Sequence, residues 1–213
     1  MRCDRGTLLL YAVTDRAWTG RQTLYEQVES ALKGGVTCVQ LREKELDHAL
    51  FLQEAVALKK QCDNYHIPLI INDDVEIAIQ CRADGIHVGQ SDRTARDVRA
   101  MVGETMILGV SVQTVAQALE AQRAGADYLG VGAVFPTATK QDAGAVTLAA
   151  LRDICRAVRI PVVAIGGIGE KNLPQLAGSG IAGAALVSAI FGAGDIEITC
   201  RRLKALAEQT VRI

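Results

Sequence analysis

The sequence predicts an α/β protein, a single (β/α)8 barrel over residues 1–213. Short apolar runs alternate with segments of helical spacing, eight of each. Several runs are apolar almost without a break, as parallel strands covered on both faces must be. No linker-like stretch or longer repeat divides the chain. A strand followed each time by a helix is the pattern of a barrel. A doubly wound open sheet is the rival reading, although such sheets usually have fewer strands.

The runs fall at residues 8–14, 38–41, 69–71, 85–88, 106–112, 128–134, 162–165 and 184–190. Between and after them, helical spacing covers 23–33, 48–62, 75–81, 94–101, 115–123, 148–158, 172–176 and 196–208. Gly34-Gly35, Gly103, Gly125 and Gly178 stand where helices would end, and glycine suits the left-handed turn of a C-cap.

Composition narrows the function classes. With 49% hydrophobic and 22% charged residues, the chain is too apolar for disorder. Lys and Arg number 23 against 24 Asp and Glu, so no overall field draws nucleic acid or an anionic membrane. Any anion must be caught by local charge. The six cysteines (Cys3, Cys38, Cys62, Cys81, Cys155 and Cys200) form no zinc-like spacing and read as buried hydrophobes or free thiols of a reducing compartment. The apolar run at 8–13 leads into Asp15-Arg16, a poor signal peptide, and the uncharged stretch 181–194 is glycine-broken and short for a membrane span. The expected location is the cytoplasm, with small-molecule partners, no nucleic acid and no membrane; self-association is left open.

In a barrel, chemistry belongs at the carboxyl ends of the strands, and polar residues gather there. The second run leads into Gln40-Leu41-Arg42-Glu43-Lys44. Strand alternation sends Gln40, Arg42 and Lys44 one way and Leu41 and Glu43 the other. Two cations and an amide on one side suit a phosphate or diphosphate, and an ordinary charged loop is the plain alternative.

The third run ends Asn72-Asp73-Asp74, and the fourth leads through His87-Val88-Gly89-Gln90-Ser91-Asp92. Adjacent strands lie ~4.8 Å apart, so Asp73 and Asp92 can share one hard cation. Asp74 is expected to cap the next helix. His87 reads as a packed, hydrogen-bonded residue, since no second histidine has ligand spacing with it. Gly109 of Gly109-Val110-Ser111 would admit a ligand close to the backbone, and Ser111 offers a hydroxyl. Thr137-Ala138-Thr139-Lys140 brings two hydroxyls and an ammonium, followed by a small-residue lid candidate at 141–146. Gly166-Gly167 and Val187-Ser188 sit where barrels commonly build a phosphate site from backbone N–H groups. No Ser-His-Asp arrangement or activated cysteine appears.

Together these motifs resemble, in order and spacing, the thiamine-phosphate synthases, from about Leu8 to the last helix. The resemblance implies a magnesium-assisted transferase. It would join hydroxymethylpyrimidine diphosphate to a thiazole phosphate, or its carboxylated form, giving thiamine phosphate and pyrophosphate. Carried over by resemblance, Gln40, Leu41, Arg42, Glu43, Lys44, Asn72, Ser111 and Lys140 would hold the pyrimidine diphosphate. Arg42, Lys44, Ser111 and Lys140 would be catalytic, and Asp73 and Asp92 would ligate Mg2+. Thr137, Ala138, Thr139, Gly167, Val187 and Ser188 would hold the thiazole phosphate. One departure is Thr147-Leu148, where the family has Gly-Leu. The rivals are a thiazole tautomerase, a Schiff-base aldolase using Lys140, and a non-catalytic phosphate sensor. The tautomerase would not need Arg42, Lys44, Asp73 and Asp92 together.

Overall fold

The computed structural model describes residues 3–20, 22–90, 92–137 and 145–212. Eight parallel strands close into a barrel in sequence order: β1 Leu10–Val13, β2 Cys38–Leu41, β3 Leu69–Asn72, β4 Gly85–Val88, β5 Ile107–Val112, β6 Tyr128–Val131, β7 Val162–Ile165 and β8 Gly183–Leu186. Closure comes from β8 pairing with β1, with Tyr11 opposite Ala185. The helices are α1 Leu24–Lys33, α2 His48–Asn64, α3 Val75–Gln80, α4 Ala95–Val102, α5 Val115–Arg123, α6 Leu148–Ala157, α7 Ser188–Phe191 and α8 Ile196–Val211.

Strand alternation sorts the apolar runs into two layers. Val39 and Leu41 of β2, with Leu69 and Ile71 of β3, face outward into the helices. Cys38 and Ile70, their neighbours along the chain, join Tyr11, Val13, Ile107, Tyr128 and Val163 inside the barrel. The outer face of these strands is apolar and much of the inner face is too, which is why the runs show little two-residue alternation.

Helix starts are written in the sequence. Thr23, Asp47, Asp74, Thr94, Thr114, Thr147 and Asp195 each accept a backbone N–H through the side chain at the head of a helix. Such caps contribute about 1 kcal/mol each. Asp74 thus takes the capping role expected of it. Thr147, the departure from the family pattern, heads α6 in the same way, with Ala150 N–H donating to its hydroxyl at 3.1 Å.

Two elements differ from expectation. The apolar run at 184–190 is strand only to Leu186 and then turns into α7, because a continuous apolar run looks alike in a strand and a buried helix. The segment at 172–176 is a 3-10 turn, Leu173–Leu176, with Pro174 in its first positions. Proline lacks the N–H that a longer helix would use.

Candidate active site at the barrel mouth

Two cations flank the end of β2. Arg42 is mostly buried and its Nη1 lies 3.4 Å from Asp15 Oδ2, just past β1. Its backbone N–H donates to the Thr14 hydroxyl at 3.0 Å. Lys44 reaches the other way, Nζ to Asp73 Oδ2 at 3.0 Å, past the end of β3. Its side chain is 55% exposed, and such pairs contribute only about 0–1 kcal/mol. Lys44 can therefore exchange Asp73 for a bound anion at little cost.

Gln40, Asn72 and Ser111 complete this side. Gln40 is buried and donates through Nε2 to the Tyr11 hydroxyl at 2.8 Å. Asn72 is half-buried, and its side-chain amide makes no hydrogen bond among the described residues. Ser111 Oγ lies 2.9 Å from His87 Nε2. His87 is packed and hydrogen-bonded inside the barrel, as expected.

Leu41 and Glu43 turn away from Gln40, Arg42 and Lys44, as strand alternation predicts. Leu41 is fully buried in the outer layer. The Glu43 carboxylate turns back into its own loop, accepting the N–H groups of Lys44 and Glu45 at 2.7 Å and pairing with Arg16. Burial works against that charge, yet the Glu45 N–H, the Arg16 guanidinium and the Lys44 N–H outweigh it and hold Glu43 below its ordinary pKa. Gly109 needs a correction. A Cβ there would lie 2.2 Å from Tyr128 and 2.5 Å from His87 Nδ1, so the glycine clears space for two side chains rather than for a ligand.

The donor set fits magnesium. Asp73 sits at φ 64°, a left-handed conformation uncommon outside glycine, and its N–H donates to the His87 carbonyl at 2.8 Å, tying β3 to β4. Asp92 is exposed and accepts the Gly89 N–H through Oδ2 at 2.7 Å. Each carboxylate keeps an oxygen outside these bonds. No group of three or more acidic, histidine or cysteine ligands occurs among the described residues. One or two carboxylates, with substrate oxygens and water filling the other positions, is how magnesium is usually held.

The far side of the mouth works through backbone. Gly167 has φ 63°, and a Cβ on it would lie 2.4 Å from the Pro136 carbonyl and 2.8 Å from that of Phe135. The loops after β6 and β7 are therefore pressed together at a point only glycine fits. Asn172 pins the loop, donating to the Gly167 carbonyl at 2.9 Å and accepting the Gly169 N–H at 2.8 Å. Val187 is held at φ −113° and ψ −87° where β8 turns into α7, and the Ser188 hydroxyl makes no hydrogen bond among the described residues. Thr137 stands at the edge of this side. Ala138, Thr139, Lys140 and positions 141–144 of the lid candidate lie outside the described residues.

Asp15, Arg16 and Asn172 were not singled out as site residues by the sequence reading. Asp15-Arg16 follows β1 directly, so the rule that found the other strand ends applies to it equally. All six cysteines are free. Burial pushes Cys3, Cys62 and Cys200 up to about 12 and Cys155 to about 11, which leaves them unreactive thiols. No helix among the described residues is long and apolar enough to cross a membrane.

A closed (β/α)8 barrel with its polar side chains gathered at the strand ends is the architecture of a barrel enzyme. The family model for thiamine monophosphate synthase matches residues 10–190. The thiamine-phosphate synthase of Ruminiclostridium cellulolyticum is 51% identical over 91% of this chain and 92% of its own. That of Enterococcus faecalis is 47% identical over 96% and 97%. A thiamine phosphate pyrophosphorylase from Pyrococcus furiosus superposes with a TM-score of 0.90 at 35% identity, covering 97% of this chain and 98% of that one. The chain belongs to the thiamine-phosphate synthase family, transferases of thiamine biosynthesis.

Proposed function

We propose that the mouth joins a pyrimidine methyl diphosphate to a thiazole phosphate, with or without a carboxylate, releasing pyrophosphate in the cytoplasm. The observation that carries this reading is the pair of cations at the end of β2, each held by an acid from a flanking strand end, Asp15 for Arg42 and Asp73 for Lys44. That arrangement pre-positions two positive charges without locking them. Gln40, Asn72 and Ser111 then contact the pyrimidine diphosphate, with Lys140 as a further cation. Thr137, Ala138, Thr139, Gly167, Val187 and Ser188 take the thiazole phosphate.

In the first step the methylene carbon–oxygen bond breaks and its electron pair leaves with the diphosphate. The ring's amino group stabilises the cation that remains by resonance. Arg42, Lys44 and the Ser111 hydroxyl meet the charge growing on the departing oxygens, the kind of preorganised electrostatics that is often the largest catalytic contribution. In the second step the thiazole nitrogen supplies the pair that forms the new carbon–nitrogen bond. Holding both rings together makes this nearly unimolecular. Asp73 and Asp92 would hold Mg2+, which when bound neutralises diphosphate charge.

The test is pyrophosphate release with each substrate alone, then both, with and without magnesium. Release is expected only with both substrates and the metal, and Asp92→Ala should lower turnover and raise the magnesium needed. Wild-type turnover that survives chelation would overturn the metal assignment. Release absent under every condition would overturn the reaction.

A further inference from the structure

Inside the barrel, beneath the mouth, five side chains form one unbroken hydrogen-bonded line. Gln40 Nε2 lies 2.8 Å from the Tyr11 hydroxyl, and Tyr11 lies 2.8 Å from the Tyr128 hydroxyl. Tyr128 lies 2.9 Å from His87 Nδ1, and His87 Nε2 lies 2.9 Å from Ser111 Oγ. Both tyrosines are fully buried and His87 is 8% exposed. The rings are stacked tightly, edge-on for Tyr11 and Tyr128 with centroids 6.0 Å apart, and 5.5 Å apart for His87 and Tyr128.

Two glycines make room for the line. A Cβ on Gly109 would strike Tyr128 and His87 Nδ1, and a Cβ on Gly130 would lie 3.0 Å from the His87 ring. Aliphatic residues would fill this interior without any polar group needing a partner. A buried hydroxyl that loses its partner costs about 1–3 kcal/mol, so a line of five linked polar groups is a demanding way to fill a core.

The line has a direction. An amide nitrogen only donates, so the Tyr11 oxygen accepts from Gln40. Either tyrosine can donate in the Tyr11–Tyr128 bond; in the direction that Gln40 starts, the Tyr11 proton goes to Tyr128 and the Tyr128 proton to His87 Nδ1. Burial pushes both phenols well above the usual tyrosine range, so each keeps its proton. With Nδ1 accepting, the neutral ring carries its hydrogen on Nε2 and donates it to Ser111. Ser111 has one proton of its own, and no described residue accepts it. At the other end, the Gln40 carbonyl oxygen accepts nothing from the described residues.

We propose that Tyr11, Tyr128 and His87 are positioning residues: their relay fixes the Ser111 hydroxyl as a donor to the ligand and the Gln40 carbonyl as an acceptor from it. Diphosphate oxygens only accept, and a ring amino group only donates. One end of the line thus matches the leaving group and the other the aminopyrimidine. The proposal rests on the functional reading for the identity of the ligand, but not for the direction of the relay. Reversing the Gln40 amide would reverse every bond and turn Ser111 into an acceptor, which no diphosphate oxygen can serve.

Nitrogen-15 NMR of the histidines gives the first test, independent of turnover. His87 is expected as the neutral Nε2–H tautomer in the free protein, and to lose that single state in Tyr128→Phe. A wild-type Nδ1–H tautomer overturns the proposal. The second test is calorimetric binding of inorganic pyrophosphate with magnesium, alongside steady-state kinetics. Tyr128→Phe should weaken pyrophosphate binding and lower kcat by about 10- to 100-fold, the range seen when a supporting partner of a ligand group is removed, with KM for the thiazole phosphate unchanged. His87→Gln, which keeps a donor toward Ser111, should retain at least about tenfold more activity than His87→Leu. Equal loss in the two, at matched thermal stability, means that the histidine only fills space and overturns the proposal. A wild-type protein that binds pyrophosphate and shows the expected tautomer but never turns over would sink the functional reading while leaving the relay standing.

Discussion

The two sides of the barrel mouth differ in what they present: charged side chains on one, glycine-shaped backbone and hydroxyls on the other. On the β2–β5 side the receptors are side chains: Arg42 and Lys44, each held by a carboxylate from a neighbouring strand end, with Asp92 and Ser111 beyond them. On the β6–β8 side they are main chain and hydroxyl, around Gly167 and Ser188, with the loops fixed by Asn172. Side-chain charges can follow a group whose charge grows as a bond breaks. A backbone cradle cannot follow, but it fixes position at little entropic cost. On the proposed reading, the difference separates the side suited to a leaving diphosphate from the side suited to an anchoring phosphate.

Removing a charge from the first side should therefore cost turnover. Arg42→Ala is expected to lower kcat by about 10²–10³, as removal of one donor from a preorganised anion site does. KM for the thiazole phosphate should stay within about twofold, since the proposed function assigns that ligand to the other side. Steady-state kinetics with each substrate varied in turn decides this. A rise in thiazole KM with kcat unchanged would exchange the roles of the two sides.

Much of this contrast was legible in the sequence, and the physical reason is the barrel itself. Once eight apolar runs are counted, the residues at and just past the end of each run are placed at the mouth, which brings Arg42, Asp73 and Ser111 there. Pairings across the barrel were not legible. Nothing local links Tyr11 to Tyr128, 117 positions apart, or Arg42 to Asp15, 27 apart. Gly109 was read as a place for ligand because a glycine at a strand end looks the same whether ligand or a neighbouring ring needs the space. Alternation separates Glu43 from Arg42 and Lys44, but the strand stops at Leu41, and the loop N–H groups and Arg16 that hold its carboxylate follow from no local pattern.

The backbone side is sharpened by Gly167→Ala. Alanine at φ 63° is strained by about 1–3 kcal/mol, and its Cβ would push the Pro136 and Phe135 carbonyls away. The expected outcome is a rise of about tenfold in KM for the thiazole phosphate, with a smaller change in kcat than Arg42→Ala gives. The same kinetic series measures it. An unchanged thiazole KM in a folded variant would show that the loops after β6 and β7 do not form the anchor.

The smallest effect should come from Glu43, whose carboxylate is turned into its own loop and braces the segment that carries Arg42 and Lys44. Its folded pKa lies below the ordinary glutamate value of 4.5. The charged form is thus favoured by folding, and the contribution to stability is full above that ordinary value and is lost as pH falls through the depressed one. Glu43→Gln keeps an acceptor for the loop N–H groups but gives up the Arg16 pair, and should cost about 1 kcal/mol near neutral pH. The gap between variant and wild type should narrow as denaturation is followed below about pH 4. Thermal denaturation across that range checks the sign. A gap that widens on acidification would mean that the Glu43 carboxylate is a burden on the fold, and that the charged side of the mouth is braced by Asp15 and Asp73 alone.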